Sequence, residues 1–318
     1  MRLLYVVHRY YPYPGGSEYY VQAMAEESLS RGHQVAVLSG EHKGDQNGVH
    51  VTSDANILLQ PWDLIIVHGG DVHVQNFVLS NAKNIPNPIL YMLILPSESP
   101  LTIQALTDCR YLGWSTPADH AHISKYGMSS KARQVRHGIK HHESIGKPGF
   151  KAKHGITKRM FLSCGGYWPN KLMRELADVW LRADIADAVL VTTGYDNRMQ
   201  LMPAAVPGKV MPLLIDNKDE VMSAISEADC YLLHSSQEGF GLVLLESMLN
   251  GTPWVARDIA GASLMKDYGK VYNTDDELID IIRSFDPAAH DRQAAKDYFM
   301  ANHTIRATVD DIEAVLTA

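Results

Sequence analysis

Two glutamates bracket one short run of the chain, Glu238-Gly-Phe-Gly-Leu-Val-Leu-Leu-Glu246. The run follows an apolar stretch, Cys230-Tyr-Leu-Leu-His234, that reads as a buried strand. It opens a segment, Leu242 to Leu249, that reads as a helix stopped by Asn250-Gly251 and Pro253. Glu238 therefore falls on a strand-to-helix loop and Glu246 on the helix behind it. Gly239 and Gly241 flank Phe240, and without a Cβ they let backbone N–H groups approach a ligand closely. A helix N-terminus favours an anion, and carboxylates accept bonds from hydroxyls, so the expected ligand carries both. A second feature lies upstream. Gly165-Gly-Tyr-Trp-Pro-Asn-Lys171 follows another apolar strand and places a lysine at the start of a helix, by itself an ordinary position for one.

The elements that must position these residues alternate. Leu3–Val7, Gln34–Leu38, Val49–Val51, Leu64–His68, Ile89–Leu95, Tyr111–Trp114 and Ala132–Arg136 read as strands, with helices expected over 18–31 and from Pro117. The stretch from His137 to Phe150, rich in glycine, is expected to be a linker. The rhythm restarts with strands Met160–Cys164, Ala188–Thr193, Val210–Leu214, Cys230–His234 and Trp254–Ala256. Single helices are expected over 169–183, 218–228, 240–249, 275–284, 287–301 and 304–316. Strand–helix alternation implies parallel βαβ units, here two α/β, Rossmann-like, doubly wound sheets over 1–140 and 141–302, with 303–318 returning to the first. Ligands of such sheets bind beyond the carboxyl ends of the strands, so Gly15-Gly16, Gly69-Gly70, Gly165-Gly166 and the Glu238 loop can all face one cleft.

Composition narrows the function classes. The chain has 318 residues, 46% hydrophobic and 20% charged, which describes a folded chain of two ordinary domains. A net charge of −7 argues against nucleic acid as a partner. The first 150 residues balance acid and base, and they hold most of the histidines. Cys109, Cys164 and Cys230 are scattered, which points to a reducing, cytoplasmic setting without disulfides or a zinc site. No metal-ligand cluster is evident, and His141-His142 reads as linker surface. No Walker or dinucleotide fingerprint is present. The Pro117–Tyr126 stretch carries only Lys125 and histidines, a weak membrane signal.

With these features in place the chain resembles the GT-B glycosyltransferases, and within them the retaining family 4. The resemblance rests on the Glu238–Glu246 run, on Ala228-Asp-Cys-Tyr-Leu-Leu-His-Ser235 before it, and on Asn250-Gly-Thr-Pro253 and Ile259-Ala-Gly261 after it. In the first half it rests on Pro14-Gly15-Gly16-Ser17-Glu18, Asp63-Leu-Ile-Ile-Val-His68 and Val135-Arg-His-Gly138. It implies transfer of a sugar from a UDP- or GDP-linked donor, with retention and without a metal or other cofactor, to a saccharide, lipid-linked or natural-product acceptor.

The resemblance also implies roles for residues. Glu238 and Lys171 are the catalytic candidates: Glu238 on the donor sugar, Lys171 on the diphosphate. Gly15, Gly16, Gly165, Gly166, Gly239, Phe240, Gly241, Leu242 and Glu246 are the donor-binding candidates, with Glu246 on the ribose. Retention needs no protein nucleophile if the acceptor attacks from the leaving-group face and the departing phosphate takes its proton. Two positions depart from the family. Its usual arginine before the lysine is replaced by Gly165-Gly166, and its usual histidine after the Ile89 strand by Ile94-Leu95-Pro96. Arg9, His68, Arg136 and Arg174 are the conceivable substitutes, and Tyr13, within Tyr10-Tyr-Pro-Tyr13, is a candidate for stacking on an acceptor, with Tyr19-Tyr20 extending the patch; packing of these tyrosines against the sheet is the equal alternative. The alternatives are a catalytically altered GT-B protein that binds a sugar nucleotide or glycan without efficient transfer, and an epimerase or hydrolase of the same shape.

Overall fold

The computed structural model describes the whole chain except residues 14, 70–72, 95–97, 195–198 and 318. Pro14 of the first glycine loop, Gly70-Asp71 and Leu95-Pro96 thus lie outside the described residues. The chain forms two compact units, Met1–Ile139 with Asn302–Ala318, and Lys140–Ala301.

In the first unit the chain runs β1 (Arg2–Val7), α1 (Gly16–Ser30), β2 (Gln34–Ser39), β3 (Gly44–Gln46), β4 (Val49–Thr52) and β5 (Leu64–His68). It continues through α2 (His73–Ser80), β6 (Ile89–Met92), α3 (Pro100–Asp108), β7 (Tyr111–Trp114), α4 (Pro117–Lys125) and β8 (Ala132–Gln134). The sheet order is β3-β4-β2-β1-β5-β6-β7-β8, parallel except for the β3–β4 pair. Strands such as Leu64-Ile-Ile-Val-His68 are buried throughout because helices cover both faces of the sheet. Thr116 and Asp119 cap α4 reciprocally, and Lys125 at its end is bound by Glu98.

The second unit runs α5 (Phe150–Lys153), β9 (Arg159–Cys164), α6 (Met173–Ala183), β10 (Ala188–Gly194), β11 (Val210–Leu214), α7 (Lys218–Glu227) and β12 (Cys230–Leu233). Then come α8 (Leu242–Leu249), β13 (Trp254–Arg257), α9 (Ala260–Leu264), β14 (Lys270–Tyr272), α10 (Asp275–Arg283) and α11 (Arg292–Asn302). Its sheet is wholly parallel, in the order β11-β10-β9-β12-β13-β14. The core packs Phe161 and Trp180 against Leu176, Leu190, Leu232 and Leu278.

Several expected elements end differently. The helix expected over 169–183 is a 3-10 turn, Pro169–Lys171, then Leu172 at φ 49°, then α6. That left-handed residue turns Lys171 away from the helix. The helix expected over 287–301 is likewise a short turn followed by α11, because Asp291 accepts from Ala294 N at 2.9 Å and starts a new helix there. The sequence reading has no counterpart for α3 or β3. The expected linker begins inside the first unit: Ile139 pairs with Thr304, and α12 (Ile305–Ala314) packs on α1. Arg136 grips Asp311 through Nε and Nη2 at 2.8 and 2.7 Å, and the Thr308 hydroxyl donates to Arg136 O at 2.8 Å.

Gly138 is pressed against this return. A Cβ there would lie 2.3 Å from Thr304 O and 2.5 Å from Thr304 C, both backbone atoms with little freedom to yield. Gly138→Ala is expected to destabilise the first unit by about 1–3 kcal/mol. The expected signature is a lower denaturant midpoint, with faster amide exchange in 305–314 than in β9 or β10.

Candidate functional site

In the second sheet β9 is flanked by β10 on one side and β12 on the other. The chain leaves β9 for β10 and β11, then crosses back to β12. The strand order therefore reverses between β9 and β12, and a crevice opens beyond their carboxyl ends. Both loops of interest emerge there, Gly165–Leu172 after β9 and His234–Gly241 after β12.

Three features fix the first loop. Gly165 holds φ +146°, and its amide donates to Thr193 O at 3.1 Å. Tyr167 is fully buried, packs its ring against Gly194 and donates to Leu213 O at 3.0 Å. The 3-10 turn then brings the Lys171 stem over Gly165, where a Cβ would meet Lys171 Cε at 3.5 Å. The second loop is tied to this turn: Ser236 N donates to Asn170 O at 2.8 Å, and Asn170 Nδ2 donates to Gln237 O at 3.1 Å. Lys171 Nζ thereby reaches Glu238 Oε1 at 2.5 Å, and the buried Ser235 hydroxyl donates to the same oxygen at 2.6 Å.

Gly241 then starts α8 at φ +90°, with no side chain capping the helix. Leu244 N donates to Gly241 O at 2.9 Å, which leaves the Leu242 and Val243 amides of the first turn to an anion. Phe240 is buried, and its carbonyl accepts from Gly261 N at 3.2 Å. A Cβ on Gly261 would come within 2.2 Å of that oxygen, so α9 can seat against the loop only through a glycine. Leu242 opens α8 and Glu246 lies one turn further on. Glu246 keeps some contact with solvent, yet burial pushes its carboxyl up to about 7, only partly offset by Lys218.

The position that lacks an arginine has a physical occupant. A Cβ on Gly166 would strike Trp168 Nε1 at 2.2 Å, so the indole covers the backbone from which a longer side chain would start.

The first unit has its own reversal, between β1 and β5. Gly15 caps α1, Gly16 begins it, and the Glu18 carboxylate folds over Gly15, where a Cβ would meet Oε2 at 2.1 Å. Burial raises the Glu18 carboxyl above its ordinary range. Arg9 lies over the Tyr13 ring at 4.5 Å and pairs with Glu41 at 3.1 Å. Of the tyrosines expected at a lip, Tyr10 and Tyr20 are buried instead, Tyr20 stacked on His137 at 4.7 Å. His68 is also buried, at the end of β5, and desolvation lowers its pKa to about 4, so it is a neutral imidazole at neutral pH. Arg136 is committed to Asp311, and Arg174 donates to Met202 O at 3.3 Å.

The sequence reading assigned no role to Ser235, Asn170 or Tyr167. Ser235, three residues before a loop glutamate, was the one with a legible signal; the other two act through tertiary contacts. Among the described residues no group of three or more His, Cys, Asp or Glu is arranged to hold a metal ion.

Residues 151–278 match the family model of glycosyl transferases group 1. That span contains every second-unit residue of the site. The solved structures similar to the whole chain include HepE of Anabaena in complex with UDP and glucose, at 16% identity and a TM-score of 0.78, covering 100% of this chain and 99% of that one. They also include sucrose-phosphate synthase of Thermosynechococcus elongatus, at 14% and 0.81, covering 99% and 98%. A third is a UDP-forming trehalose-phosphate synthase of Burkholderia xenovorans, at 14% and 0.74, covering 99% and 98%. No curated protein matches by sequence. At these identities the structural likeness is one of fold, and it bears out the expected class: GT-B, two doubly wound parallel-sheet domains with the last helix returning to the first. Among the described residues no helix is long and apolar enough to cross a membrane.

The displaced Glu246 ionisation gives a sign for stability. Its carboxyl rises from an ordinary 4.5 to about 7 on folding, so the folded chain holds the proton more tightly. That contribution is full below about pH 4.5, declines as pH rises, and is gone above about 7. Thermal unfolding between pH 5 and 7.5 is expected to show this decline, and Glu246→Gln to flatten it. An unchanged pH profile in Glu246→Gln would place the ionisation elsewhere.

Proposed function

We propose that this chain is a glycosyltransferase that uses a nucleoside diphosphate sugar, UDP- or GDP-linked, as donor. The observation that supports this best is the convergence of Lys171, Ser235 and Glu238 beside the uncapped start of α8, at the strand-order reversal of the second sheet. A diphosphate needs a cation and backbone amides; a hexose and a ribose need carboxylate acceptors. Lys171 and the α8 amides serve the first need, Glu238 and Glu246 the second. The group 1 match over the same span, and the UDP and glucose bound by the structurally similar HepE, favour this donor class.

In this reading the donor's diphosphate lies between Lys171 and the first turn of α8, with the sugar toward Glu238 and the ribose toward Glu246. As the glycosidic bond stretches, negative charge builds on the leaving phosphate. A fixed ammonium and helix amides stabilise that charge more in the transition state than in the ground state, without a metal ion. The acceptor hydroxyl attacks from the same face, passes its proton to the departing phosphate oxygen, and configuration is retained. Arg9 and Tyr13 present a cation and an aromatic face at the reversal point of the first unit and suit a saccharide, lipid-linked or natural-product acceptor.

A second reading, binding of a sugar nucleotide without efficient transfer, is favoured by one observation: Trp168 covers the position where a second phosphate-neutralising side chain would begin. Turnover separates the two. With a panel of UDP- and GDP-sugars the chain is expected to hydrolyse or transfer at least one donor. Lys171→Ala is expected to lower kcat by about 10²–10³-fold. Nucleotide binding with no turnover across donor and acceptor pairs would establish the second reading.

A further inference from the structure

Glu238 and Lys171 form a closed pair at the point where the proposed diphosphate must enter. Their separation is 2.5 Å, and both are largely shielded, with side-chain exposures of 12% and 21%. The loops that carry them are cross-tied by Asn170, so the pair is held by backbone geometry as well as by attraction. Gly165 and Gly166 add no side-chain charge, and the Ser235 hydroxyl is neutral. The local balance is therefore one cation against one carboxylate. A free nucleoside diphosphate reaching Lys171 gains an ammonium contact and at the same time meets a fixed like charge.

We propose, on the donor reading above, that Glu238 acts as a competing counter-ion for Lys171 and so weakens the hold of this site on free nucleoside diphosphate. A donor that carries a sugar gives Glu238 hydroxyls to accept from, which compensates the carboxylate for the shared ammonium. Once the sugar has been transferred, those hydroxyls leave with the product. Glu238 then draws Lys171 back, and the remaining diphosphate is expelled. One residue thus serves both donor selection and release of the spent nucleotide, and it does so because a shielded charge that loses its partner demands another.

The test is calorimetric titration of the full chain with UDP and with GDP, in wild type, Glu238→Gln and Glu238→Ala, at one fixed salt concentration. Glu238→Gln keeps an oxygen for Ser235 and removes the charge; Glu238→Ala removes both, so the charge effect is read even if one variant misfolds. For the nucleotide that binds wild type, the affinity is expected to rise about fivefold or more in each folded neutral variant, while uridine or guanosine, which carry no phosphate, bind as to wild type. Unchanged or weaker nucleoside diphosphate binding in a folded neutral variant would overturn the counter-ion role while leaving the donor reading intact. Failure of both nucleotides to bind wild type and variants alike would overturn the donor reading itself.

Discussion

The contact between Lys171 and Glu238 is set first by the sheet beneath their two loops and only then by the residues beside them. The two are far apart in sequence, and neither lies in a regular helix or strand. What brings them together is the parallel pairing of β9 with β12, in register Cys230 to Phe161 and Tyr231 to Leu162. That pairing puts two strand ends side by side and leaves the following loops no choice but to meet. Everything else in the site elaborates this constraint. Tyr167 pins one loop to β10 and β11, Asn170 ties it to the other, and Leu172, in a left-handed conformation, spends local strain to turn the lysine inward. Strain of this kind persists only where surrounding contacts over-determine it, and here three sets of hydrogen bonds do so.

The same sheet logic operates in the first unit with a different outcome. Its strand order also reverses, between β1 and β5, and the loops there are also rich in glycine and charge. Yet their charged groups are already paired or shielded. Glu18 lies over Gly15, Glu41 takes both His8 and Arg9, and His68 is withdrawn into the protein and neutral. The starts of α1 and α8 both lack a side-chain cap, but the Glu18 carboxylate folds over the first, whereas the Lys171 ammonium stands on the loop facing the second. Such a division suits an anionic ligand on one unit and a hydroxyl-bearing one on the other.

How much of this was legible in the sequence follows from the range over which each feature is determined. Short apolar runs bounded by turn residues delimit β5, β7 and β11 to the residue, although of the three only β5 is buried along its whole length. The Glu238 loop was legible because its glycines, its carboxylates and the following helix are contiguous. The break at Leu172 was not, since Pro169 to Ala183 has good helical composition and only the tertiary pull of Glu238 and Ser236 on the turn interrupts it. Whether Tyr10 and Tyr20 form a lip or pack inward was open in the sequence for a related reason. Burial of an aromatic residue depends on the packing around it, and here Tyr20, on α1, is received by His137 and the returning C-terminal segment. The absence of an arginine at Gly166 was plain in the sequence; the indole of Trp168 lying over that backbone was visible only in three dimensions.

The return of the chain has a consequence for how the first unit holds together. Arg31 reaches Asp310 and Glu313, His33 reaches Glu313, Arg136 reaches Asp311, and the His137 carbonyl contacts His303 Nδ1 at 2.7 Å. All of these link the first sheet's helices and last strand to residues beyond the whole second unit. The first unit therefore cannot complete its polar network until the final segment exists, and the loop it closes spans the entire second unit. Loop closure of that length costs only slightly more entropy than closure of a shorter one. The cost is offset by burying Ile305, Val309 and Ile312 and by partly shielded ion pairs. The two units are consequently joined by two chain crossings, at 139–140 and 301–302, rather than one.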